Sequence, residues 1–160
     1  MSDGAEVLHA SAVAINGAGV LILGPSGSGK SATALDLIAR GAELIADDRV
    51  VVQGTPPRLS PPDALAGLVE ARGIGLLRLP YRDDITAVLA IDMGRSADVR
   101  MPPYTSFSIN SMCLPLIAGA NNPILVLAVM AGLKASVTFP FYDGSSSGRQ
   151  DEQGGAKDQA

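Results

Sequence analysis

Eight residues constrain this chain more than any others. Gly24-Pro25-Ser26-Gly27-Ser28-Gly29-Lys30-Ser31 satisfies the pattern G-x-x-x-x-G-K-[ST] at every fixed position. Val20-Leu21-Ile22-Leu23 before it is wholly apolar, as a buried strand requires. Ala34, Leu35, Leu37 and Ile38 after it recur at helical spacing until Gly41. A strand that passes through a glycine loop into a helix leaves several backbone N–H groups without partners. Together with the positive end of the helix dipole, they form a socket for phosphate. The glycines permit close backbone approach, Lys30 brings a point charge for the β- and γ-phosphates, and the Ser31 hydroxyl reaches Mg²⁺. A Gly/Ser turn can match the pattern by accident, but an accident has no reason to place both flanks correctly. The loop is expected to face solvent and ligand.

The flanking sequence adds candidate chemistry. Glu6 to Ile15 reads as a strand, and Asn16-Gly17-Ala18-Gly19 supplies residues that tolerate positive φ, so a hairpin leads into Val20–Leu23. Ordinary nucleotide-binding domains use a parallel crossover at that point, and the hairpin hints at a different fold. Glu43 to Ala46 is a short apolar strand that delivers Asp47-Asp48, 17 and 18 residues beyond Lys30. Carboxylates at that position can hold Mg²⁺, directly or through water, or take a proton from an incoming hydroxyl. The plainer alternative is an acidic turn between two strands. His9 is the single histidine, and a lone strand histidine is more often structural than catalytic. Glu70 and Arg72 lie two residues apart, so in a strand they share a face and can point into one site. An exposed, ion-paired edge explains them equally well.

The remaining chain bounds the function. A single α/β domain over 1–142 fits the length of 160 residues. Val50–Val52 and Thr86–Met93 read as strands, Gly54-Thr55-Pro56-Pro57 as a turn and Gly94–Ser106 as a loop. Asn121-Asn122-Pro123 reads as a helix start, and Ile124–Lys134 is apolar on nearly all sides, which predicts a buried helix. Residues 143–160 are Gly, Ser, Gln and charge with no apolar residue larger than alanine, and are expected to be a disordered tail. The net charge is −4, with 12 Lys and Arg scattered over the chain. A duplex binder needs roughly 6–10 cationic phosphate contacts, so nucleic acid is not an expected partner. No apolar run approaches the ~18 residues of a membrane span, and the acidic start lacks the basic region of a signal peptide. One cysteine, Cys113 between Met112 and Leu114, excludes an internal disulfide. It reads as a buried thiol in a reducing, cytoplasmic setting.

At the level of whole motifs, the chain resembles the catalytic domain of HPr kinase/phosphorylase. The resemblance rests on Gly24–Ser31, Ala34–Gly41 and Leu44-Ile45-Ala46-Asp47-Asp48-Arg49-Val50. It also rests on Glu70-Ala71-Arg72-Gly73-Ile74-Gly75-Leu76-Leu77, which matches the second signature E-x-R-G-[IL]-G, and on His9 at its distance before Lys30. It spans about Leu8 to Leu133. The resemblance implies a mixed-sheet, P-loop α/β fold related to phosphoenolpyruvate carboxykinase. It also implies a hexameric, cytoplasmic bacterial enzyme that uses ATP (or pyrophosphate) and Mg²⁺. The implied partner is HPr, the phosphocarrier of the sugar phosphotransferase system, and the implied reverse reaction is phosphorolysis of its phosphoserine. By similarity, Gly24 to Ser31 bind nucleotide, with Lys30 on phosphate. Ser31 and Glu70 serve the metal, the Asp47-Asp48 pair provides acid/base chemistry with Asp48 as proton acceptor, and His9 completes the site. Arg100 is the nearest match to the family's active-site arginine, on a loose alignment. Ala32 stands where the family usually has Glu. Leu114–Asn121 replaces the family's basic glycine loop before the last helix, and the N-terminal regulatory domain is not represented. A non-catalytic nucleotide sensor and a small-molecule kinase of the same fold are the alternatives.

Overall fold

The computed structural model describes residues 4–135. The strands in chain order are β1 (Glu6–Leu8), β2 (Ser11–Ile15), β3 (Ala18–Leu23), β4 (Glu43–Ala46), β5 (Val50–Gln53) and β6 (Arg58–Ser60). They continue with β7 (Leu68–Ala71), β8 (Gly75–Arg78), β9 (Ile85–Asp92), β10 (Thr105–Ile109) and β11 (Met112–Ala118). Two α-helices, α1 (Lys30–Ala39) and α2 (Leu125–Lys134), and a short 3₁₀ helix over Asp63–Leu65 complete the set among the described residues. The tail assigned to 143–160 lies outside the described residues, as does the end of the domain assigned to 1–142.

The hairpin read from Asn16-Gly17 is present. Asn16 (φ 54) and Gly17 (φ 80) occupy the left-handed region, the pairing a two-residue turn needs, and β2 and β3 run antiparallel from Ser11↔Ile22 to Ile15↔Ala18. Nine strands form one mixed sheet with the path β1-β5-β6-β9-β3-β2-β4, and β11 joins β9 and carries β10. β3 lies parallel to β9, and β9 parallel to β11, while the other pairings are antiparallel. β7 and β8 form a separate hairpin.

Two irregularities shape the core. Gly19 pairs with Ala87 and Val20 with Leu89, so Val88 is an extra residue in β9. One extra residue reverses which face each later side chain takes. Ile85 and Ala87 accordingly pack with Ala12, Ala14 and Leu21, whereas Leu89 and Ile91 pack with Val13, Val20, Ala34, Leu37, Val129 and Leu133 beneath the helices. The second irregularity lies in β4. Ala12 faces Ala46 and Val13 faces Leu44, which leaves Ile45 unpaired just before Asp47-Asp48. Gly19 sits where β3 touches β9 so closely that a Cβ would lie 2.8 Å from the Thr86 carbonyl oxygen.

Several expectations are corrected. The strand read over Glu6–Ile15 is two strands that break at His9-Ala10, because β1 pairs with β5 while β2 pairs with β3 and β4. The loop read over Gly94–Ser106 gives way to β10 at Thr105, and Leu114–Ala118, read as part of a loop, is strand. Pro115 argues against a strand. It precedes Leu116–Ala118, the only part of β11 paired with β9, so its missing N–H interrupts no central ladder. α2 begins at Leu125 rather than at Pro123, and the Asn122 side chain accepts the Ile124 N–H instead. Leu125, Val129, Met130 and Leu133 are buried, but Ile124 and Leu127 are exposed, so α2 is buried on one face only. Cys113 is exposed, because alternation on β11 turns it away from the core that holds Leu114. No helix among the described residues is long and apolar enough to cross a membrane.

Candidate active site

β3 carries the chain into the glycine loop. Gly24 (φ 145), Gly27 (φ 81) and Gly29 (φ 98) hold conformations that side chains other than glycine rarely adopt. Gly29 is also the residue preceding α1, and no side chain caps that helix. The first-turn N–H groups of α1 therefore face the loop with the positive end of the dipole. Pro25, Ser26 and Gly27 are exposed, as expected of a solvent-facing loop, and Lys30 is the exception. It is buried, and its Nζ donates to the carbonyls of Gly24 (2.9 Å) and Pro25 (3.0 Å). The lysine thus spans the loop it belongs to. The Ser28 hydroxyl oxygen, also within the loop, is buried without a hydrogen-bond partner.

The two adjacent aspartates do different things. The Arg49 N–H bonds back to the Asp47 carbonyl (2.8 Å) across Asp48, whose φ is 71°. A three-residue turn with positive φ at its centre is rare and strained. With the unpaired Ile45 just upstream, it sends the two carboxylates to different partners. Asp47 is buried, and its Oδ1 accepts from Ser31 (2.7 Å) and from Ser11 (2.7 Å). Its Oδ2 accepts from the Glu70 N–H (3.4 Å). Asp48 is exposed and meets His9, Nε2 to Oδ1 at 3.0 Å. A carboxylate has no proton to give, so His9 carries its proton on Nε2 in this pair.

His9, Lys30, Ser31 and Asp48 open on one cleft of about 500 Å³, which Ser11, Glu70 and Arg72 also line, while Asp47 is not among its lining residues. Gly73 (φ 80) turns β7 into β8, and Glu70 and Arg72 both line the cleft from this hairpin, one of the two arrangements their spacing allowed. Ile74, at the hairpin tip and on the cleft rim, is 83% exposed. Arg100 is not brought in. It lies in the segment between β9 and β10 and is not among the cleft-lining side chains. Ser11 was missed by reading the sequence. Its one signal there is a hydroxyl two residues from Val13 and four from Ile15, on the strand face that turns to α1.

The residues fit a nucleotide with Mg²⁺. Loop N–H groups and Lys30 suit phosphate, the orphaned Ser28 hydroxyl lacks a partner, and Ser31 and Glu70 offer the oxygen ligands that Mg²⁺ prefers, with the Asp47 carboxylate behind Ser31. Among the described residues no three His, Cys, Asp or Glu side chains converge to hold a metal alone. A Mg²⁺ held here would complete its coordination with phosphate and water.

Fold and site together define a mixed-sheet α/β protein whose glycine-rich loop leads from a central strand into a helix. Residues 3–88 match the family model described as the HPr Serine kinase C-terminal domain. The HPr kinase/phosphorylase of Clostridium acetobutylicum is 41% identical over 150 residues, covering 82% of this chain and 49% of that relative. The HPr kinase/phosphorylase of Clostridium tetani is 43% identical over 86 residues, 52% of this chain and 28% of that relative. The structure of the Hpr(Ser) kinase/phosphatase from Coxiella burnetii superposes with a TM-score of 0.70 at 25% identity, covering 82% of this chain and 90% of that one. The chain belongs to the HPr serine kinase C-terminal domain family. It spans about half or less of the length of these curated relatives.

Proposed function

We propose that this chain catalyses transfer of phosphate from ATP, with Mg²⁺, to a serine of an HPr-type phosphocarrier in a bacterial phosphotransferase system. The observation that carries this reading is the His9–Asp48 pair, held in the same cleft as Lys30 and Ser31. A nucleotide sensor needs the loop but not a carboxylate beside a histidine at a strained turn.

The roles follow from position. Lys30 and the loop N–H groups bind phosphate, and Ser31 and Glu70 serve the metal, with Asp47 behind Ser31. Asp48 takes the proton of the acceptor hydroxyl, and His9 orients the carboxylate and shares the charge change. ATP and Mg²⁺ supply the transferable phosphoryl group and neutralise its charge, so the chain contributes mostly positioning and electrostatics. Ile74 at the rim and Leu76 two residues on are both exposed, and an apolar pair beside the cleft favours a protein acceptor over a small molecule. We place the reaction in the cytoplasm and expect a homo-oligomer, a hexamer by family resemblance.

The test is incubation with radiolabelled ATP, Mg²⁺ and, separately, the sugar-transport carrier and its nitrogen-regulatory paralogue. Phosphoserine on one of them is the expected result. Nucleotide binding without transfer to either would leave the sensor as the better reading.

A further inference from the structure

Ser11 is fully buried, yet its hydroxyl serves no backbone group. It donates to Asp47 Oδ1 at 2.7 Å, the same oxygen to which Ser31 donates at 2.7 Å. The register explains its position. Ser11 opens β2 opposite Ile22, one residue before β3 ends at Leu23 and the glycine loop begins. Its neighbours Ala10 and Ala12 are buried alanines, so a hydroxyl at this place is the exception in an apolar strand start.

From this we infer that Ser11 is a positioning residue for the metal site: it locks the Asp47 carboxylate so that Ser31 presents a lone pair, not its proton, to the cation. The chemistry is directional. A hydroxyl has one proton and two lone pairs. With its proton committed to Asp47, Ser31 offers the cleft only acceptor character, which is what a Mg²⁺ ligand requires. Asp47 can hold that proton only while its own plane is fixed. Its other fixed partner is the Glu70 N–H at 3.4 Å, a long contact. Ser11 is the short second anchor: it lies at the wall of the cleft, but its proton is committed to Asp47. The inference rests on the phosphotransfer reading, since it assumes that Ser31 meets a metal.

Outer groups that orient a metal ligand typically change metal affinity 10–100-fold when removed. The test uses Mn²⁺ as the probe, with its free-ion EPR signal read in the presence of a non-hydrolysable ATP analogue. Ser11→Ala removes the donor, and Ser11→Cys keeps the volume with a much weaker donor, so packing survives in at least one variant. We expect Mn²⁺ to bind at least about tenfold more weakly to both variants. Analogue binding without metal and the melting temperature of the cysteine variant stay near wild type. Mn²⁺ affinity unchanged in Ser11→Cys overturns the inference, as does an equal loss of metal-free nucleotide binding, which would make Ser11 a support of the loop. Absence of nucleotide-dependent Mn²⁺ binding in the wild-type protein itself would instead reject the phosphotransfer reading, and the Ser11 role with it.

Discussion

Replacing Asp48 should separate stability from catalysis, because the residue is costly to the fold at the place where the proposed chemistry needs it. Its positive φ costs a side-chain-bearing residue about 1–2 kcal/mol, and for aspartate the lower end applies. Asp48→Gly releases that strain and loses about 0.5–1 kcal/mol to the greater freedom of glycine in the unfolded chain. It also loses the His9 contact. The two side chains are 43% and 60% exposed, so that pair is worth about 0–1 kcal/mol. These contributions nearly cancel, and Asp48→Gly should lie within about 1 kcal/mol of wild type, read as a urea midpoint at constant m-value. Asp48→Asn, which tolerates the same backbone, should behave alike. Phosphotransfer to the carrier should nonetheless fall roughly 10²–10⁴-fold in both, the usual worth of a positioned general base, with ATP affinity little changed. A stability loss beyond about 2 kcal/mol would refute the strain argument. Transfer within about tenfold of wild type would refute the role as base. A collapse of ATP affinity would make Asp48 a metal ligand rather than the base.

Lys30→Ala should abolish transfer and also destabilise the domain by about 1–3 kcal/mol, because the Gly24 and Pro25 carbonyls lose their donor; equilibrium unfolding beside the kinase assay checks both. Ser31→Ala should abolish transfer with a smaller stability change, since Asp47 keeps Ser11, and unchanged activity would reject the loop assignment. Gly19→Ala should cost about 1–3 kcal/mol, as its Cβ would press on the Thr86 carbonyl and the Ala87 Cα across β3 and β9, seen as a lower melting temperature. Phosphorolysis should be weak even at high inorganic phosphate. Leu114–Asn121 carries no cation and Arg100 is not among the cleft-lining side chains, and one missing arginine–phosphate contact of about 1.5–3 kcal/mol costs roughly ten- to a hundredfold. Pyrophosphate release from phosphorylated carrier as fast as the forward reaction would contradict this.

Features that depend on neighbouring residues were legible in the chain itself. Gly24–Ser31 between an apolar run and a helical pattern specified strand, loop and helix, because backbone conformation there follows from glycine placement and local periodicity. Asn16-Gly17 specified the hairpin for the same reason, and Gly41 ended α1 through the N–H bonds of Gly41 and Ala42 to the carbonyls of Ile38 and Leu37. Motif matching on residues such as His9 and Glu70 pointed to the family, although spacing alone left their roles open.

What only the tertiary structure decided depends on partners far away in the chain. The break at His9 exists because β1 and β2 pair with different strands, and β10 and β11 exist because β9 offers β11 an edge. The face that Leu89 and Ile91 take was set by the extra residue Val88, a feature of register that no single strand reveals. Asp47 and Asp48 look equivalent in sequence. They were separated by a bulge at Ile45 and a strained turn, which gave one to Ser11 and Ser31 and the other to His9. Ser11 gained its partner 36 residues away only when the β2–β3 hairpin and β4 came together. Local patterns fix backbone shape, but which side chains meet across a sheet is fixed by pairing and register, and those are properties of the assembled fold.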